Sequence, residues 1–195
     1  MSSGSWDVVT VPRALEKFPM AFEPGRGFSP SKPERWPRLP GRLEFYEERL
    51  HVTPPCGEQQ AAIAANIVFL LAGWARAHAG FEVGANEAGM LLGGAVRAAD
   101  AAVWRASSRR RSSGFHRRPP LLAVEVSGED ENEDMLMDKA RWYLEQGVET
   151  VWLVLPEERQ VVVVTAKGRK RVSAGRLPAP AGMKDFQPAL ADVFR

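Results

Sequence analysis

At 195 residues, 45% apolar and 26% charged, the chain has enough material for one sizeable core and is too apolar to be disordered throughout. A formal charge of +2 permits a nucleic-acid partner without arguing for one. The single cysteine, Cys56, excludes a disulfide framework and a cysteine-rich zinc site, and makes a reducing cytoplasm the expected compartment.

Residues 1–37 are rich in Pro, Gly and Ser and lack the basic start and apolar stretch of a secretory signal. They read as an N-terminal arm ahead of a domain spanning 38–195, with Trp6 and Phe18 as candidate anchors. From Gly41, RLEFYEERLHV predicts two short strands around a tight turn at Glu47-Glu48. After the PPCG break, Ile63, Ile67, Leu70, Leu71 and Trp74 recur at helical spacing and predict a helix over Glu58–Ala79, stopped by Gly80. Its most apolar part is short for a membrane span and is interrupted by Asn66, Gly73 and Arg76, so it is expected to pack on a core, with no membrane partner. The Gly- and Ala-rich stretch that follows predicts short strands at Phe81–Val83, Gly89–Leu92 and Ala101–Trp104. SSRRRSSGFHRRPP then reads as a basic loop.

Leu121–Ser127 is a strongly apolar strand, and Asn132–Gln146 a helix with Asn132 as N-cap and Gly147 as terminator. Thr150–Leu155 and Gln160–Thr165 are strands. KGRKRVSAGRLPAPAG reads as an irregular basic tail, and Gln187–Phe194 as a short closing helix. The strand–helix–strand from Leu121 to Leu155 is a βαβ unit with parallel strands. With strands on either side it implies a mixed β-sheet flanked by helices, in the α/β or α+β class.

Glu125 interrupts the apolar strand, and an unpaired buried carboxylate costs several kcal/mol. Descending the following helix from Asn132 to Lys139 covers roughly 10 Å. Stepping back from Ser127 to Glu125 covers roughly 7 Å. Helix side chains lean toward the N-terminus, so Lys139 and Glu125 lie at about the same height. Lys139 borders the stripe Leu136, Ala140, Tyr143 and Leu144, which should face the sheet. The alternative sends Lys139 to solvent, with Glu125 facing water on an edge strand. Asp100, among small residues at the start of a strand, is either a loop or cap aspartate or a second carboxylate beside Glu125, suited to a hard divalent cation. The run Glu129, Asp130, Glu131, Glu133 and Asp134 reads as charge favoured by the helix dipole.

An Asp, a Glu within a strand and a nearby Lys follow the logic of PD-(D/E)xK nucleases. RLEFYEERLHVTPP, RAADAAVW and LLAVEVSGEDENEDMLMDKARWYLEQGVETVWLVLPEERQVVVV together resemble the Uma2 family of restriction-endonuclease-like proteins, from about Arg42 to the C-terminus. The resemblance implies a restriction-endonuclease-like α+β core and a Mg²⁺-dependent endonuclease acting on DNA, with Mn²⁺ as an alternative ion. It implies Asp100 and Glu125 as metal carboxylates, Lys139 as the catalytic lysine moved onto the helix, and Glu44 as an acidic residue completing the site. Tyr143 matches a helix aromatic with a packing role. The chain departs from the family at Ala99, where a proline is usual before the Asp, and at Ser127, which stands at the E-x-K lysine position.

Arg109, Arg110, Arg111, Arg117 and Arg118 lie between the two carboxylates in sequence and either clamp DNA phosphates or sit in a solvated loop. Cleavage of a duplex would suit a homodimer. The competing expectation is a catalytically inactive nuclease-fold protein that binds nucleic acid or a protein partner.

Overall fold

The computed structural model describes residues 19–39, 41–107, 114–129 and 131–195. Within them the chain builds a nine-stranded mixed sheet with a helix packed on each face and a short third helix near the C-terminus. The fold is α+β, as the sequence predicts.

Strands β2 (Arg42–Tyr46) and β3 (Arg49–Thr53) form the predicted hairpin. Its two turn residues, Glu47 and Glu48, have φ of 52° and 59°. Two left-handed residues make the twist of a two-residue hairpin turn, a geometry that favours Asn-Gly and costs other residues about 1–2 kcal/mol each. Replacing Glu47-Glu48 by Asn-Gly is therefore expected to stabilise the protein by about 1–2 kcal/mol, read as a higher urea midpoint at unchanged slope. An unchanged midpoint would show that the turn carries no such strain.

Residues 20–22, placed in the arm by composition, form β1 (Met20–Phe22), which pairs with β3 at one edge of the sheet. The rest of the expected arm, including Trp6 and Phe18, lies outside the described residues.

The three short strands expected between Phe81 and Trp104 are two long ones, β4 (Phe81–Leu92) and β5 (Ala95–Arg105). They pair throughout, with a bulge between Ala85 and Ala88 opposite Asp100. Across that bulge the alternation slips: Ala99 packs in one face's core, whereas Ala101 and Val103 pack in the other's. Asp100 is thus in mid-strand, at a kink, rather than at a strand start. Bulges re-aim side chains in this way.

The fully buried β6 (Leu122–Val126) runs antiparallel to β5 and parallel to β7 (Thr150–Leu155), as expected for the βαβ unit. Its crossover, α2 (Glu133–Glu145), starts with Asn132 Oδ1 accepting from the Met135 N–H at 3.0 Å. It stops where the Gly147 and Val148 N–H groups return to the Leu144 and Tyr143 carbonyls. Leu136, Ala140 and Tyr143 are buried against Ala123, Val151 and Leu153. On the opposite face, α1 (Glu58–Ala77) sets Ile63, Ile67 and Leu71 against Val103, Leu122 and Val124. By length and composition α1 could also cross a membrane, with 17% of its apolar window buried.

β8 (Gln160–Thr165) follows as predicted. The expected basic tail begins instead with β9 (Gly168–Val172), an edge strand on which only Val172 is buried. Helix α3 is shorter than expected, Leu190–Val193.

Candidate active site

β5 is the pivot of the site. Along one edge it pairs first with β2, at Val96↔Phe45, and then with β6, at Ala101–Val103. Between those contacts the two neighbours part, and backbone donors there lose their ladder partners. Carboxylates take their place: Glu44 Oε1 accepts from the Ala98 N–H at 2.9 Å, and Asp100 Oδ2 from the Val126 N–H at 2.7 Å. Side chains thereby satisfy groups that a continuous sheet would have paired.

Glu125 is 1% exposed and points to the α2 side. Lys139 Nζ donates to its Oε2 at 3.2 Å, and the Tyr143 hydroxyl to its Oε1 at 2.7 Å. The expected height match between Lys139 and Glu125 is what the structure contains. Tyr143, expected to be packing alone, holds the second oxygen. It is one helical turn beyond Lys139, so both residues present donors on the same face.

Two members of the cluster are not evident from the sequence. Arg42 Nη1 binds Asp100 Oδ1 at 3.3 Å and its Nε binds Thr53 Oγ1. Glu131 Oε1 accepts from Lys139 Nζ at 3.3 Å and lies 3.7 Å from Arg42 Nη2. Glu131 therefore joins the Asp100–Arg42 and Lys139–Glu125 pairs into one network, rather than merely adding charge ahead of α2. Its Oε2 accepts from the Gly128 N–H and its carbonyl from Ser127 Oγ, which fixes the loop.

The electrostatics follow from burial with opposed charge. Burial pushes the Glu125 carboxyl up to about 7, against the pull of Lys139. Asp100 is also raised by burial, opposed by Arg42 and the Val126 N–H. Glu44 goes the other way. Burial raises it, but Lys139, Arg42, Arg97 and the Ala98 N–H together outweigh that and hold it below the usual range. Burial disfavours the Lys139 ammonium, yet Glu125, Glu44 and Glu131 hold its proton more tightly than usual. The pair is asymmetric because the lysine sees several carboxylates while Glu125 lies deepest.

Arg42, Glu44, Arg97, Asp100, Glu131 and Lys139 all line a cleft of about 780 Å³. Glu125 is buried and is not among the residues that line it. Arg117 and Arg118 are exposed and do not line the cleft. Arg118 instead donates to the Arg105 carbonyl, at the end of β5 remote from Asp100. Arg109, Arg110 and Arg111 fall outside the described residues.

Residues 32–189 match the Uma2 family, described as "putative restriction endonuclease". No curated protein matches the chain. Among solved structures, a crystal structure described as a "putative nuclease belonging to DUF820" from Anabaena variabilis is similar, with a TM-score of 0.70 at 18% identity. The likeness covers 80% of this chain and 93% of that one, and at that identity it speaks for the fold. The family match takes in β2, β5, β6 and α2, every element that contributes to the charged network, and the chain belongs to the Uma2 family.

Proposed function

We propose that the protein is a metal-dependent endonuclease that hydrolyses DNA phosphodiester bonds. The observation that carries this reading is the joining of Asp100, Glu125 and Lys139 into one network where β2 and β6 part. Asp100 and Glu125 would hold Mg²⁺ or Mn²⁺. Their chemistry fits: magnesium commonly takes one or two carboxylates and completes its shell with water and substrate oxygens. Each of the four carboxylate oxygens accepts one described hydrogen bond and keeps a further lone pair. Among the described residues no group of three or more His, Cys, Asp or Glu is arranged to hold a metal, so a closed protein cage is not the fit. When bound, such an ion would polarise the scissile phosphate and supply a hydroxide-like water.

The chain's own groups have separable tasks. Asp100 opens on the cleft, held by Arg42 and the Val126 N–H. Lys139, an ammonium held by Glu125 and Glu131, orients the attacking water by donating to it and offsets charge on the phosphate. Tyr143, whose hydroxyl is pushed well above its ordinary value by burial and by Glu125, stays a donor and fixes the Glu125 carboxylate. Glu44 adds a permanent negative charge that keeps Arg42 and Lys139 charged.

The test is cleavage of plasmid and linear DNA by purified protein. Nicking or cutting is expected with Mg²⁺ or Mn²⁺, none with EDTA, and none by Asp100→Asn at matched fold. Metal-independent cutting, or full activity in Asp100→Asn, would sink the proposal.

A second reading is a DNA binder that does not cleave. It is favoured by the way Arg42 and Lys139 already neutralise both carboxylates. Calorimetry separates the two: an active site takes up Mg²⁺ and loses that uptake in Asp100→Asn, whereas a binder shows no such uptake.

A further inference from the structure

Among the described residues, the cleft's cations are not equivalent. Arg42 and Lys139 are each engaged by carboxylates. Arg97 is 9% exposed, lines the same cleft, and forms no described hydrogen bond or ion pair; its buried Nε has no partner. Leaving a buried guanidinium donor unpaired is costly, and such groups call for an explanation.

The surroundings hold the guanidinium without using its donors. Its carbon lies 3.8 Å from the centre of the Tyr46 ring and 5.2 Å from that of Trp142. A cation against an aromatic face is attracted through the face, which leaves the in-plane N–H groups free. Tyr46 is itself fixed by stacking on His51, with ring centres 3.5 Å apart. The backbone is anchored next door, where the Ala98 N–H meets Glu44. A desolvated guanidinium at a cleft wall, held through its face and with no described partner for its N–H groups, matches a planar pair of oxyanion oxygens. Three residues further along β5 stands Asp100, about 10 Å away in strand rise.

We propose that Arg97, clamped on Tyr46, is the anchor for a backbone phosphate flanking the one that reacts. The inference rests on the nuclease reading for its ligand, a nucleic-acid strand, and adds a positioning contact outside the metal carboxylates and their lysine. Arg97 touches the substrate away from the reacting atoms and sets the strand's register over Asp100.

The experiment measures binding of a fluorescent oligonucleotide in EDTA over a salt series, with wild type, Arg97→Met and Arg97→Lys. Unfolding midpoints of all three confirm that each variant is folded. Arg97→Met is expected to weaken binding at least about tenfold and to reduce the log K against log salt slope by about one, the loss of one phosphate contact. Arg97→Lys should keep most of the slope and lose part of the affinity, since it retains charge without the fork. In cleavage assays Arg97→Met should raise KM far more than it lowers kcat.

Equal affinity and slope in wild type and Arg97→Met, both folded, would overturn the assignment and leave the nuclease reading standing. Failure of wild type to bind any oligonucleotide, both in EDTA and with Ca²⁺ in its place, would overturn the nuclease reading and this inference together. DNA binding that drops in Arg97→Met without cleavage by either protein would retain the anchor and remove the enzyme. In a parallel arm, inorganic phosphate that raises the midpoint of wild type but not of Arg97→Met, with unchanged oligonucleotide affinity, would assign the site to free phosphate and overturn the backbone contact.

Discussion

Glu125→Gln is expected to cut activity and to remove a loss of stability that the wild type suffers as pH rises. The carboxyl is 1% exposed and is raised from 4.5 to about 7 by burial, with Lys139 opposing. Between those values the unfolded chain has lost the proton and the folded chain keeps it. The folded state then binds more protons, and stability falls as pH rises. Below 4.5 both states are protonated and the contribution vanishes; above about 7 it is fully developed, at about 3 kcal/mol. Glutamine does not titrate. Urea unfolding of the metal-free proteins should therefore show Glu125→Gln gaining on wild type by about 2–3 kcal/mol between pH 4.5 and pH 7.5. A difference that stays constant over this range would show that the carboxylate does not carry the burial cost. On the proposed mechanism, the same substitution removes a metal carboxylate and should cut DNA cleavage by at least about 10³-fold, several kcal/mol of transition-state stabilisation.

That opposition explains why the centre of the site was legible in the sequence. A carboxylate within an apolar run is a local conflict, and such conflicts mark functional positions. Its partner was also legible, because a βαβ unit is nearly one-dimensional: the lengths of one strand end, one loop and two helical turns set Lys139 beside Glu125. Arg42 and Glu131 were not legible. Arg42 reaches Asp100 across 58 residues, through the β2–β5 pairing at Phe45↔Val96, and nothing periodic encodes that pairing. Glu131 sits in a charged run where its neighbours share its character, and only the tight 127–131 loop singles it out.

The same contrast holds in the fold. β4 and β5 looked fragmentary because Gly and Ala carry little strand pattern, yet their length is what brings Arg97 and Asp100 to one cleft. β9 was hidden for another reason. Its exposed Arg169, Lys170 and Arg171 are the charged residues that protect a sheet edge from pairing with other chains. Tyr143 lies on an apolar stripe, and the acceptor that reveals its hydroxyl's role belongs to another element.

Lys139→Met should be the most damaging single substitution in the network. It removes the ammonium from Glu125 and Glu131 together and leaves a buried carboxylate with Tyr143 as its remaining described donor. Breaking a buried pair from one side costs about 3–5 kcal/mol. At pH 8 the variant should lose about that much, because Glu125 must either stay ionised and buried or take up a proton to fold. At pH 5 the loss should be much smaller, since the carboxyl is then protonated in the folded state of both proteins. Combining it with Glu125→Gln should recover most of the stability lost at pH 8, since replacing both partners leaves no uncompensated charge. Additive losses in the double variant would show that Lys139 and Glu125 do not depend on one another. Activity will not follow stability in that recovery. The single variant is expected to lose about 10²–10³-fold in kcat through the missing donor, and the double variant should remain at least as inactive, because the fold can do without the charge pair and the chemistry cannot.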